Sequence, residues 1–234
     1  MEKEPRKSES IIKLEQFTFA YGRKPIFDNV SLGIENGQIY GIVGDNGAGK
    51  TTLFNIISGN IDVDKENQTL PLPKDIAFLQ ATPYFYPYMT GLEYLKIVGQ
   101  YSEEKVNVWN SIFQLPLKEY IHNYSTGMQK KLSIMGILLL DKKIIIMDEP
   151  FNGLDLKTSE IVNIIIERLK ETGSTILLSS HILETILHHA DKVILVKNKQ
   201  LSQSFDRSQF GDLSKIIKGE FVGDIKGKVD KLIL

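Results

Sequence analysis

Apolar positions along this chain change period several times, and each change marks a new element. Residues 12–21 and 30–34 show short alternations (Val30, Leu32, Ile34) broken by Pro25 and Asn36-Gly37, the pattern of half-buried strands joined by turns. Ile39-Tyr40-Gly41-Ile42-Val43 is almost wholly apolar and reads as a buried strand. Leu53, Ile56 and Ile57 then fall at i, i+3 and i+4, one face of a helix. Residues 62–73 are polar and contain proline, a loop leading to a strand at 75–79. From 90 to 115 helical spacing returns (Leu92, Leu95, Ile97-Val98, then Val106, Trp109, Ile112, Phe113) and predicts two helices. A further helix over 126–140 precedes a buried strand over 143–147. Helix 156–171, strand 175–179, helix 182–190 and strand 192–196 follow in alternation. Such a series predicts a mostly parallel sheet with helices on both faces. The apolar residues of the last stretch (Phe221, Val222, Ile225, Val229, Leu232-Ile233-Leu234) have no clear period.

The richest chemistry lies between the apolar strand at 39–43 and the helix that follows it. Gly44-Asp45-Asn46-Gly47-Ala48-Gly49-Lys50-Thr51-Thr52 fits G-x-x-x-x-G-K-[ST], a loop that surrounds nucleotide phosphates with backbone N–H groups. Glycine is needed there because a Cβ would block a chain that curls around an anion with φ > 0. Lys50 supplies a cation to the β- and γ-phosphates, and the Thr51 hydroxyl can ligate Mg²⁺. The helix N-terminus adds partial positive charge to the same place. A second signal is Ile144-Ile145-Ile146-Met147-Asp148-Glu149-Pro150. It sets two carboxylates at the C-terminal end of a buried strand, the edge where open parallel sheets bind ligands. Beside phosphate and metal the two acids divide the work: Asp148 holds Mg²⁺ directly or through water, and Glu149 orients or deprotonates the attacking water.

With these motifs in order the chain resembles the nucleotide-binding subunits of ATP-binding cassette (ABC) transporters, over roughly residues 12–197. The resemblance implies an α/β P-loop NTPase core, a mostly parallel sheet flanked by helices. It adds an N-terminal antiparallel β region and a small helical insert at about 84–140. It gives roles to further residues: Tyr21 as the aromatic that stacks on adenine, and Gln80 as the link between the γ-phosphate and Mg²⁺ site and a membrane partner. Tyr124-Ser125-Thr126-Gly127-Met128-Gln129 corresponds to the signature segment, which contacts the nucleotide of the opposite subunit. Ser125 and the Gly127 backbone keep that segment's donors, while Tyr124, Thr126 and Met128 depart from the family's L-S-G-G-Q. Gln129 is offset by one residue, about 100° around a helix. The Y-S-x-G-M form is similar to single-domain ATPase subunits of drug, peptide or lipid exporters. Asn152-Gly153-Leu154-Asp155 resembles the loop that crosses the dimer interface, and His181 the histidine that contacts the γ-phosphate. His122, His188 and His189 match nothing and read as structural.

Composition narrows the rest. The chain has 234 residues, no cysteine and a formal net charge of −1. Disulfides, thiol catalysis and cysteine-bound metals are excluded, and no basic footprint points to nucleic acid. No apolar run approaches the roughly 20 residues that span a bilayer. The expectation is a cytoplasmic protein held at the inner face of the cell membrane by an integral permease. Residues 1–10 read as a polar tail, 11–200 as the ATPase domain and 201–234 as an extension. The resemblance further implies ATP and Mg²⁺ as ligands and a second copy, or a homologous subunit, as head-to-tail partner. Tyr84-Phe85-Tyr86-Pro87-Tyr88-Met89 could either line a groove for the permease or fold inward to anchor the helical insert. The competing functions are a nontransport ABC ATPase and a low-turnover regulatory nucleotide-binding module.

Overall fold

A computed structural model describes residues 10–64, 66–217 and 219. The polar tail before residue 10 and the apolar residues from Phe221 onward lie outside them. The first two strands, β1 (Ser10–Tyr21) and β2 (Lys24–Glu35), form a two-stranded antiparallel sheet. Pro25, taken from sequence as a break, is the second residue of β2 and pairs with Ala20. Proline is tolerated there because the strand has only just left its turn.

The main sheet is built from β3 (Ile39–Val43), β4 (Ile76–Leu79), β5 (Ile144–Met147), β6 (Thr175–Ser179), β7 (Lys192–Lys197), β8 (Gln200–Leu201) and β9 (Phe205–Asp206). Its order is β4-β5-β6-β3-β7-β8, with β9 also on β7. The pairs among β3 to β7 are parallel, and those of β8 and β9 with β7 are antiparallel. Among the described residues the helices that accompany them are α1 (Lys50–Ile57), α2 (Gly91–Val98), α3 (Glu103–Phe113), α4 (Thr126–Leu139), α5 (Leu156–Glu171) and α6 (Leu183–His189), and residues 210–217 are helical as well.

Because side chains alternate along a strand, the sheet sends two sets of residues into two cores. Tyr40, Ile42, Ile146, Leu177, Ile194 and Val196 pack with α1 and the β1–β2 hairpin. Ile39, Ile145, Met147, Ile176, Leu178 and Val193 face the other way, where residues of α2 to α6 cover them. Strands buried on both faces must be apolar throughout, which is why β5 and β6 show no alternation in sequence. Past residue 200, β8 and β9 continue the sheet, and Phe210 and Leu213 are buried in the second of these cores.

Candidate functional site

Strand register brings the chemistry together. Leu79 pairs with Met147, Met147 with Leu178, and Leu178 with Gly41, so one row crosses four parallel strands. Within three residues beyond that row come Gln80, Asp148-Glu149, Ser179-Ser180-His181 and Gly44. The phosphate loop leaves β3 at this edge and feeds α1. Gly47 and Gly49 take φ of 79° and 116°. A Cβ on Gly49 would come within 3.0 Å of Ile26 and 3.1 Å of Phe27, so the β1–β2 hairpin lies directly against the loop. Tyr21, half exposed, ends the first strand of that hairpin and leans edge-on against Phe19 at 5.1 Å. Asp45, Asn46 and Gly47 face solvent, Ala48, Gly49 and Thr52 are half-buried, and Lys50 is buried. The Lys50 ammonium donates to the Gly44 and Asp45 carbonyls at 2.6 and 3.1 Å, at the mouth of its own loop.

Asp148 is 1% exposed, and both its oxygens are engaged. Thr51 Oγ1 donates to Oδ2 at 2.6 Å and Ser179 Oγ to Oδ1 at 2.5 Å. Ser179 Oγ also accepts the Glu149 N–H at 3.0 Å. Glu149 has φ of 49°, a region costly for a residue with a side chain and one that recurs where function over-determines the backbone. Its Oε2 meets His181 Nδ1 at 2.8 Å and accepts the His181 N–H at 3.2 Å. Loop, acids, serine and histidine thus form one connected network. The paired hydroxyl and carboxylate oxygens of Thr51 and Asp148 are the hard donors Mg²⁺ takes, and the open, amide-lined turn at Gly47 suits a phosphate.

Gln80 follows β4 and is exposed; its carbonyl accepts from Lys130 Nζ at 3.3 Å, and the Ala81 carbonyl at 2.8 Å. Lys130, on α4, is 3% exposed. Burial pushes its ammonium down to about 8, against the pull of Asp148 and Glu149 toward the charged form. The periodicity of the chain singled out neither Lys130 nor Ser179. The available signals were a lysine in a helix otherwise rich in apolar residues, and a serine closing a fully buried strand.

The signature residues have different neighbours. Ser125 caps α4, its Oγ accepting the Met128 N–H at 3.2 Å. A Cβ on Gly127 would lie 2.9 Å from the Gly153 carbonyl, so this turn and the loop at 152–155 are in close contact. Tyr124 is a core residue whose hydroxyl, pushed up to about 12 by burial, donates to the Pro116 carbonyl at 2.7 Å. Met128 packs partly against the same core, and Gln129 turns back to the Ile121 and Tyr124 carbonyls. In the aromatic segment Phe85 and Met89 turn inward, Phe85 against Tyr94 at 5.0 Å, while Tyr84, Tyr86 and Tyr88 stay exposed. Away from the site His189 is buried, stacked on Phe151 and paired with Asn163 Oδ1 at 2.9 Å.

No helix among the described residues is long and apolar enough to cross a membrane. The ABC transporter family profile matches residues 27–152, just over half of the chain. The lantibiotic transport ATP-binding protein SrtF of Streptococcus pyogenes is 31% identical over 221 residues, covering 84% of this chain and 94% of that protein. The bacitracin transport ATP-binding protein BcrA of Enterococcus faecalis is 30% identical, covering 86% and 71%. Among solved structures, an ATP-binding subunit of an ABC transporter superposes with a TM-score of 0.77 at 24% identity, covering 86% of this chain and 94% of that one. A dimeric ATP-binding cassette in a post-hydrolysis state with ADP and phosphate gives 0.71 at 23%, covering 84% and 98%. The motifs, the strand-edge network and these matches agree, and the chain belongs to the ABC transporter family as one of its ATP-binding ATPase subunits.

Proposed function

We propose that this subunit hydrolyses ATP to power export through a separate integral membrane permease, working as a head-to-tail pair of cassettes. The observation that carries the reading is the continuous network Thr51–Asp148–Ser179–Glu149–His181 at the mouth of the phosphate loop. Lys50 and the loop amides hold the β- and γ-phosphates, and Tyr21 receives the adenine. Thr51 and Asp148 would hold Mg²⁺, with Gln80 as a further oxygen ligand; bound there, the ion neutralises charge across the phosphates. With Thr51 and Asp148 holding the ion, Ser179, which donates to Asp148 Oδ1, would keep that carboxylate in place. Glu149 takes a proton from the attacking water, and His181, hydrogen-bonded to it, faces the γ-phosphate.

Ser125 and Gly127 would complete the site of the opposite subunit. An interface on this side is supported by Leu156, which is 88% exposed next to the loop at 152–155. Tyr84, Tyr86, Tyr88 and Tyr120 are exposed apolar rings of the kind that interfaces cover, which supports a permease contact there. The transported class follows the names of two relatives, which concern lantibiotic and bacitracin transport: an antibiotic of that kind.

Glu149→Gln tests the reading. ATP binding should persist, turnover should fall by at least about 100-fold, and an ATP-dependent dimer should accumulate on size exclusion. Unchanged turnover would remove Glu149 from its role. A low-turnover regulatory module is the second reading, favoured by Met128 being drawn toward the core instead of offering a polar side chain. Vigorous ATPase activity of the subunit with its permease would dismiss it.

A further inference from the structure

A buried ammonium needs partners, and α4 is an unusual place to find one. Its buried residues besides Lys130 are Leu132, Ser133, Ile134, Met135, Gly136, Ile137 and Leu139. Among the described residues Lys130 makes no ion pair; its hydrogen bonds are those to the Gln80 and Ala81 carbonyls. It lies five residues after Ser125 on the helix that Ser125 caps, and it reaches the segment that leaves β4 carrying Gln80. One side chain therefore joins the signature helix to the strand-edge site. The two carbonyls are 49 and 50 residues away in sequence, so this is a tertiary tie and not a turn closing on itself.

We infer that Lys130 is a positioning residue: through the Gln80–Ala81 backbone it holds Gln80 at the strand edge beside Thr51 and Asp148, and keeps α4 in register with that edge. The donor cannot be supplied by an apolar side chain of similar length, because the Gln80 and Ala81 carbonyls would then lose their bond to α4. Lysine suits the task by placing several N–H donors on a four-carbon stem. Movement of the signature helix would pull on Gln80 directly, and movement of Gln80 would pull on the helix. The inference rests on the role given above to Gln80.

The test uses the full chain with Lys130→Met and Lys130→Arg, each in the presence of Gln80 and of Gln80→Ala. Turnover is measured against ATP and Mg²⁺, nucleotide affinity by a fluorescent ATP analogue, and hydrogen exchange over residues 76–89. Lys130→Met should lower kcat roughly tenfold to a hundredfold, leave ATP affinity within about twofold, and raise the Mg²⁺ needed for half-maximal rate. Lys130→Arg should recover most of the rate. In the Gln80→Ala background Lys130→Met should cost nothing more, since both changes remove one contribution. Exchange at residues 80–82 should quicken in Lys130→Met. Multiplying losses, wild-type turnover in Gln80→Ala, or unchanged exchange would each overturn the inference. If the wild type does not turn over ATP but exchange quickens as stated, the tie stands and the functional reading falls.

Discussion

Replacing Ser179 by alanine removes one oxygen and breaks two bonds at the centre of the site. The hydroxyl donates to Asp148 Oδ1 at 2.5 Å and accepts the Glu149 N–H at 3.0 Å, and the serine is fully buried. Losing a hydrogen bond to a charged group costs about 1.5–3 kcal/mol. The orphaned Glu149 N–H adds about 1–3 kcal/mol if water cannot reach it. The two losses share one atom and will not sum fully, so about 3 kcal/mol is the expected cost. With a urea m-value near the upper end of about 1–3 kcal/mol/M, the unfolding midpoint should drop by about 1 M. The Thr51 bond to Asp148 at 2.6 Å survives, so the fold should persist under native conditions. Under the role proposed for Glu149, turnover should fall more than stability implies, because Glu149 at φ 49° loses the anchor of its N–H and its carboxylate would drift from the attacking water. A midpoint shift below about 0.3 M would mean the hydroxyl carries little of the buried carboxylate. Wild-type turnover in the variant would show that Ser179 does not position Glu149.

Two glycines of the phosphate loop should respond differently to alanine. At Gly44 a Cβ would sit 2.3 Å from the Val196 carbonyl oxygen, so backbone must move; about 2 kcal/mol of stability and most nucleotide affinity should be lost. At Gly47 the Cβ meets nothing within 4 Å and only the φ of 79° is penalised, about 1 kcal/mol. Equal losses by urea unfolding would refute the packing argument. His189 gives a pH signature: burial first, then the His188 and Arg207 charges, push it down to about 4, with Glu160 opposing. The unfolded chain takes the proton below about 6.5 and the folded chain only below about 4. Stability should therefore fall across that window by up to about 3 kcal/mol from this group. His189→Phe, which keeps a ring against Phe151, should flatten the slope of stability between pH 7 and 4.5; an unchanged slope would count against the assignment.

Local signals were enough for most elements and for the core of the site. A helix or a doubly buried strand announces itself in a few consecutive residues, so β3, β5, α5 and β6 lie within a residue or two of where periodicity puts them. The phosphate loop and the acids Asp148 and Glu149 are equally local, because anion and metal chemistry demand particular residue types at fixed spacing. Pro25 misled as a strand break because its effect depends on how far the strand has run from its turn. Other properties are set by distant partners. Ser179 and Lys130 look like any strand-end serine and helical lysine until Asp148, 31 residues away, and Gln80, 50 away, are folded against them. Which rings of residues 84–88 turn inward was decided by Tyr94 and the helical core, and the fate of Met128 and Gln129 by the packing of α4. Sequence alone determined the fold class, the glycine-rich loop and the pair of acids at the end of β5, since each is written in neighbouring residues. Tertiary structure alone decided what holds those acids, because a buried hydrogen bond exists only when both partners are brought out of water together.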